Sequence, residues 1–166
     1  MPEIKVYDDY QAMAFDCELV DLVIYEIRAV RNGAGIDGDP EEEPVDDELD
    51  LEAQVFARLM ESQTVFEVRQ RIHVTGNGAR FTVDAGAIFE FPQESRFEKQ
   101  AQEAFLSRVG LMVLHPHVRE ALHTLSSKLG VEPVLLPLRR NFDLEPMGPD
   151  EAELDLQLST TDELGS

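Results

Sequence analysis

Residues 111–143 constrain this chain more than any other stretch. Leu111, Leu114, Val118, Leu122, Leu125 and Leu129 recur at three- and four-residue spacing, which puts one apolar stripe on one face of a helix. Pro116 belongs near the start of such a helix, where its missing N–H costs nothing. Gly130 stands where a left-handed cap would end it. The connection that follows is unusual. Val131, Val134, Leu135, Leu136 and Leu138 form an apolar segment that Pro133 and Pro137 bar from being a helix or a central strand. An apolar loop held extended by prolines either packs into a core or forms one wall of a hydrophobic groove.

Upstream the periodicity changes to two. Gln11–Val20 reads as a short helix, and the second half of Cys17–Arg31 as a strand, with Val23, Tyr25, Ile27 and Ala29 alternating against Ile24, Glu26, Arg28 and Val30. Residues 32–48 carry Gly33, Gly35, Gly38, Pro40, Pro44 and the run Glu41-Glu42-Glu43, with no Lys or Arg between Arg31 and Arg58. That composition predicts a flexible acidic crossover loop. Leu49–Met60, Val65–Thr75 and Arg80–Phe91 then alternate as strands. Thr75-Gly76-Asn77-Gly78 is a hairpin turn, because Asn and Gly tolerate positive φ, and Pro92 ends the last strand.

Phe97–Val109 reads as a helix, with a break after Ser107 before the long helix begins. Strands first and helices after predict an α+β fold, a four-stranded antiparallel sheet with helices packed on one face. Residues 1–145 are expected to form one domain. Residues 146–166, acidic and without Lys, Arg or aromatic residues, are expected to be a tail without fixed structure, with one helical turn around Glu151–Leu158.

Three pieces together resemble the SecB family of export chaperones. Leu114-His115-Pro116-His117-Val118-Arg119-Glu120 is similar to that family's Phe-Pro-Tyr-x-Arg-Glu motif. Pro133-Val134-Leu135-Leu136-Pro137-Leu138-Arg139-Arg140-Asn141-Phe142-Asp143 resembles its Pro-x-Leu-x-Leu-x-Pro-x-Asn-Phe-Asp stretch, with the second Pro displaced. Gly86-Ala87-Ile88-Phe89 resembles its Gly-Gly-Ile-Phe. The matches cover roughly the second half of the chain, in order. The tail departs from the pattern: Glu145-Pro146-Met147-Gly148-Pro149 breaks the second helix with which SecB-like chains end.

The resemblance implies an ATP-independent chaperone, a homotetramer without cofactor, that holds unfolded polypeptides in apolar grooves. Its clients would be preproteins passed to the SecA motor or an antitoxin of a toxin–antitoxin pair, and both roles stay open here. Asp21 and Glu26 are the candidates for acidic docking of SecA. Arg119, Glu120, Asn141 and Phe142 are motif residues with a structural reading.

Charge and composition narrow the alternatives. A length of 166 residues with 43% apolar content suits one packed domain. Fourteen Lys and Arg against 34 Asp and Glu, a formal charge of −20, argue against nucleic acid or an anionic membrane as partner. The single Cys17 excludes an intramolecular disulfide and a Cys-based zinc site, and suits a reducing compartment. The start Met1-Pro2-Glu3-Ile4-Lys5 has no signal-peptide character, so a cytoplasmic protein is expected. His115, His117 and His123 lack a completing ligand at sensible spacing. No serine stands in a nucleophile elbow, and no phosphate loop accompanies Gly76-Asn77-Gly78. An enzyme is not expected.

The apolar surplus is the better signal. Phe56, Leu59, Met60, Met112, Leu135, Leu136 and Leu138 are the candidates for lining a client groove. Any one alone reads as core or interface. As a set they outrun one sheet face, because several strands carry apolar residues on both sides, which implies oligomerisation or client contact. The alternative is an interaction module using the same fold to bind one specific partner.

Overall fold

The computed structural model describes residues 3–33 and 49–136, together with the backbone of two short strands, Glu145–Pro146 and Glu153–Leu158. Expectations for most of the acidic loop, for Leu138, Asn141 and Phe142, and for the remaining tail lie outside the described residues.

The sheet is built from four long strands, β2 (Glu18–Arg31), β3 (Asp50–Leu59), β4 (Val65–Gly76) and β5 (Ala79–Glu90). Their order is β2-β5-β4-β3, all antiparallel. A short β1 (Lys5–Tyr7) pairs in parallel with β6 (Ser95–Phe97) beside it. β4 and β5 are joined through Asn77 (φ 52°) and Gly78 (φ 74°), the two positive-φ positions of a tight hairpin turn. Val68, Ile72 and Val74 of β4 and Phe81, Val83, Ala85 and Ala87 of β5 occupy one face at 0–2% exposure, as strict alternation dictates. The sequence-marked four-stranded antiparallel sheet with helices on one face is the observed architecture.

Helix α1 (Tyr10–Asp16) starts at Asp9, whose carboxylate accepts from the Ala12 N–H at 3.3 Å. It is shorter than the 11–20 span expected, and β2 takes over at Glu18, earlier than its second half. Two bulges explain the ambiguity. Register shifts between Leu19 and Asp21 and between Ile24 and Glu26 leave Val20 and Tyr25 as extra residues, so a period of two cannot hold through the strand.

The expected break after Ser107 is absent. α2 (Lys99–Phe105) runs through a π-helical turn (Leu106–Gly110) directly into α3 (Leu111–Leu129). The wide turn sets Gly110 on Val68: a Cβ there would stand 2.6 Å from Val68 Cγ1, so only glycine permits this approach. Pro116 consequently lies inside α3 rather than near the start of the helical run. It is tolerated on an exposed side, where water can satisfy the carbonyl it strips of a partner. Gly130 caps α3 with φ 65°, as the sequence predicts.

A ring cluster closes the lower core. Phe105 packs edge-to-face on Phe66 and Phe89 at 5.7 and 5.0 Å, and Tyr7 meets Phe91 and Phe97 at 5.4 and 5.5 Å. These contacts bind α2 and the β1–β6 pair to the main sheet. In the tail, Glu153–Leu158 is a strand, β8, rather than the expected helical turn. It pairs antiparallel with β3, and β7 (Glu145–Pro146) pairs with it, extending the sheet to six strands.

Candidate functional site

β2 is an edge strand whose apolar side chains stay uncovered. Its bulges realign it so that Leu19, Leu22, Ile24 and Ile27 are register partners of Phe89, Ala87, Ala85 and Val83 on the helix-bearing side of β5. The partners are buried, yet Leu19, Ile24 and Ile27 remain 42–50% exposed. Between this row and α3 runs a groove of about 340 Å³. Its walls are Leu22, Ile24 and Ile27 on one side and Leu114, Ala121 and Leu125 on the other, with His117, Glu120 and Lys128 also lining it. A long edge strand with an apolar row is a ready-made surface for another chain.

The opposite side of the sheet is mostly polar, with Val23, Phe56 and Ile88 also standing on it in register with Gly86, Arg69 and Glu67, so the expectation of apolar residues on both faces holds in part. Arg69 grips Asp84 with two bonds of 2.7 Å, the bidentate geometry of the strongest ion pairs. Arg71 bonds Glu26 at 3.0 Å, and Arg58 bonds Glu67 at 3.1 Å. Tyr25, thrown to this side by its bulge, donates to Glu67 and lies under the Arg69 guanidinium at 4.1 Å from the ring centroid. Burial first, then the bond to the Glu67 carboxylate, push the Tyr25 phenol up to about 12. Gly86 leaves room for this bond: a Cβ would fall 2.9 Å from both the Tyr25 ring and Glu67 Oε1, so those side-chain ends would have to shift.

No protein-family model matches the chain. Its fold is similar, at TM-score 0.60 and 18% identity, to that of the Mycobacterium tuberculosis Rv1957 SecB-like chaperone, whose structure is a complex with a ChAD peptide from the Rv1956 HigA1 antitoxin. That likeness covers 78% of this chain and 92% of the other. In sequence it is 31% identical over 134 residues to the SecB-like chaperone SmegB of Mycolicibacterium smegmatis, covering 81% of this chain and 83% of the relative. The chain belongs to the SecB-like chaperones.

In this SecB-like chaperone the residues singled out from sequence are scattered. Leu136 is 4% exposed and belongs to the core, reached because Ser126 Oγ accepts from the Val134 N–H and draws the segment inward. Leu135, its neighbour, is 58% exposed, and Met112 on α3 is 64% exposed. Phe56 is half-buried on the polar side of β3, beside Arg58 and Arg69. Leu59 and Met60 sit half-buried at the turn into β4, where the Met60 N–H bonds Val65 O. Asn77, at the far end of β4, bonds Glu132 O at 3.2 Å, which ties the Leu135 segment to the opposite end of the sheet. The described candidates therefore do not form one groove within a single chain.

Asp21 is exposed, whereas Glu26 is held by Arg71. On α3, Arg119 is half-buried, and the exposed Glu120 accepts from Thr124 Oγ1 at 3.4 Å. His115 is 9% exposed while His117 and His123 are exposed. Among the described residues no cluster of three His, Cys, Asp or Glu could hold a metal, and no helix is long and apolar enough to cross a membrane. The row on β2 was missed as a site from sequence. Its only signal was apolar residues spaced irregularly, at 19, 22, 24 and 27, which two bulges reconcile.

Proposed function

We propose that this protein is an ATP-independent holding chaperone, active as a homotetramer, that keeps non-native polypeptide segments extended and soluble. The observation that carries the reading is the uncovered apolar row of β2 beside α3, in a chain of formal charge −20. The row would be covered by a second copy, and Met112 and Leu135 would stay available to clients. Binding of this kind needs no chemistry, since apolar client surface gains about 25 cal/mol per Å² on burial. The negative field would speed capture of positively charged unfolded chains.

An antitoxin segment is the favoured client, supported by the antitoxin peptide held by the Mycobacterium tuberculosis relative. Handing preproteins to SecA is less favoured, because the Glu26 carboxylate is engaged by Arg71 rather than free for a basic partner. The test is aggregation suppression of several unrelated denatured proteins without nucleotide, with native mass measured on the same sample. Protection of several clients by a tetramer is the expected result. Protection of none, with binding of one folded partner instead, would make it a dedicated adaptor.

A further inference from the structure

β3 has two edges. One pairs with β4, and the other is occupied by the chain's own β8. The six paired positions have a consistent pattern. Leu154, Leu156 and Leu158 are register partners of Ala57, Val55 and Ala53, all buried at 0–3% on the core side of β3. Glu153 and Asp155 are register partners of Arg58 and Phe56. Arg58 and Phe56 lie on the polar side of β3 with Arg69 and Arg71, around a hollow of about 210 Å³. The occupant thus reads acid-Leu-acid-Leu-Gln-Leu against an edge that is apolar on one side and arginine-rich on the other. Such matching of alternate positions is how an added strand is recognised, with main-chain bonds giving affinity and alternate side chains giving specificity.

We infer that the edge of β3 opposite β4 is a strand-docking site for an extended peptide with leucine-like residues at every second position and acidic or amide residues between them. β8 is a built-in occupant that such a segment must displace. The inference deepens the chaperone reading, and rests on it only in assigning the incoming strand to a client. β8 is covalently linked to the edge it meets, since residues 130–152 join it to α3 within one chain. A short tether supplies an effective concentration on the order of millimolar. Weak segments are therefore excluded, and the edge is not left open to pairing between copies.

The test uses the full chain and a fluorescein-labelled synthetic peptide of residues 151–160, read by anisotropy. Leu154→Asp with Leu156→Asp, which weakens β8, is expected to bind the peptide at least about tenfold more tightly than the unaltered chain. Gln54→Cys with Gln157→Cys, register partners, in a Cys17→Ser background, locks β8 in place. Oxidised, it is expected to lose binding, and reduction should restore it, which separates displacement from misfolding. Equal binding by all forms overturns the inference, as does no binding by a folded β8-weakened chain. If that chain binds the peptide while no form suppresses aggregation, the docking edge stands and the chaperone reading falls.

Discussion

Tyr25 donates its phenolic hydrogen bond to Glu67, a carboxylate 42 residues further along the chain and two strands away across the sheet. The Glu67 side chain is 4% exposed, and Arg58 donates to its other carboxylate oxygen at 3.1 Å. The bond crosses directly over Gly86. It fixes the second bulge of β2, and with it the aim of Ile27 relative to Leu22 and Ile24.

Stability should therefore fall across a defined alkaline window. The unfolded chain releases a tyrosine proton near pH 10, while folded Tyr25 holds its own to about 12. A raised acid pKa favours the unfolded state once pH passes the unfolded value, so stability present below about pH 10 drains away up to about 12. Tyr25→Phe should flatten this slope and cost about 1–2 kcal/mol at neutral pH. Urea midpoints of both proteins at neutral and alkaline pH check it. An unchanged alkaline slope would remove Tyr25 as its cause.

Gly86→Ala should destabilise by about 1–3 kcal/mol, because the new methyl meets both the Tyr25 ring and the Glu67 carboxylate. Combining it with Tyr25→Ala should recover part of the loss, a coupling read from thermal unfolding of the two single variants and the double.

Leu135 and Leu136 should behave as opposites. Leu136→Ala is expected to cost about 2–5 kcal/mol, as for other core truncations. Leu135→Ala should stay within about 0.5 kcal/mol, since its side chain is largely in water. If Leu135→Ala weakens client protection without loss of stability, that residue touches clients. Equal urea midpoints for the two variants would contradict the burial seen here.

Ile24→Asp addresses assembly. Half exposed in the single chain, the position should accept a carboxylate without unfolding, and far-ultraviolet circular dichroism should be unchanged. Native mass should fall from tetramer to smaller species, because the charge would be buried unpaired against a second copy. A tetramer that survives this change is held together elsewhere.

Local chemistry was legible in the sequence wherever one residue type settles one backbone geometry. Gly130 ends α3 in the left-handed region, Asn77 and Gly78 turn β4 into β5, and the leucine stripe of α3 packs inward at Leu111, Leu114, Val118 and Leu122. Alternation in β3, β4 and β5 fixed which residues share a face, because period two is a property of the strand itself. The motif at Gly86 marked a true constraint, although its cause, a ring from β2, lies 61 residues upstream of it in no visible pattern.

What the tertiary structure alone decided depends on partners distant in sequence. The bulges at Val20 and Tyr25 exist only against the register of β5, so the groove row of β2 is invisible to any periodicity. The core placement of Leu136 and the exposure of Leu135 follow from one bond to Ser126 Oγ, and the prolines around them are compatible with either outcome. Glu153–Leu158 alternates polar residues and leucine, yet its strand form comes from the edge of β3 that it meets. Backbone geometry is set by neighbours in the chain, whereas exposure is set by whatever element arrives to cover a side chain.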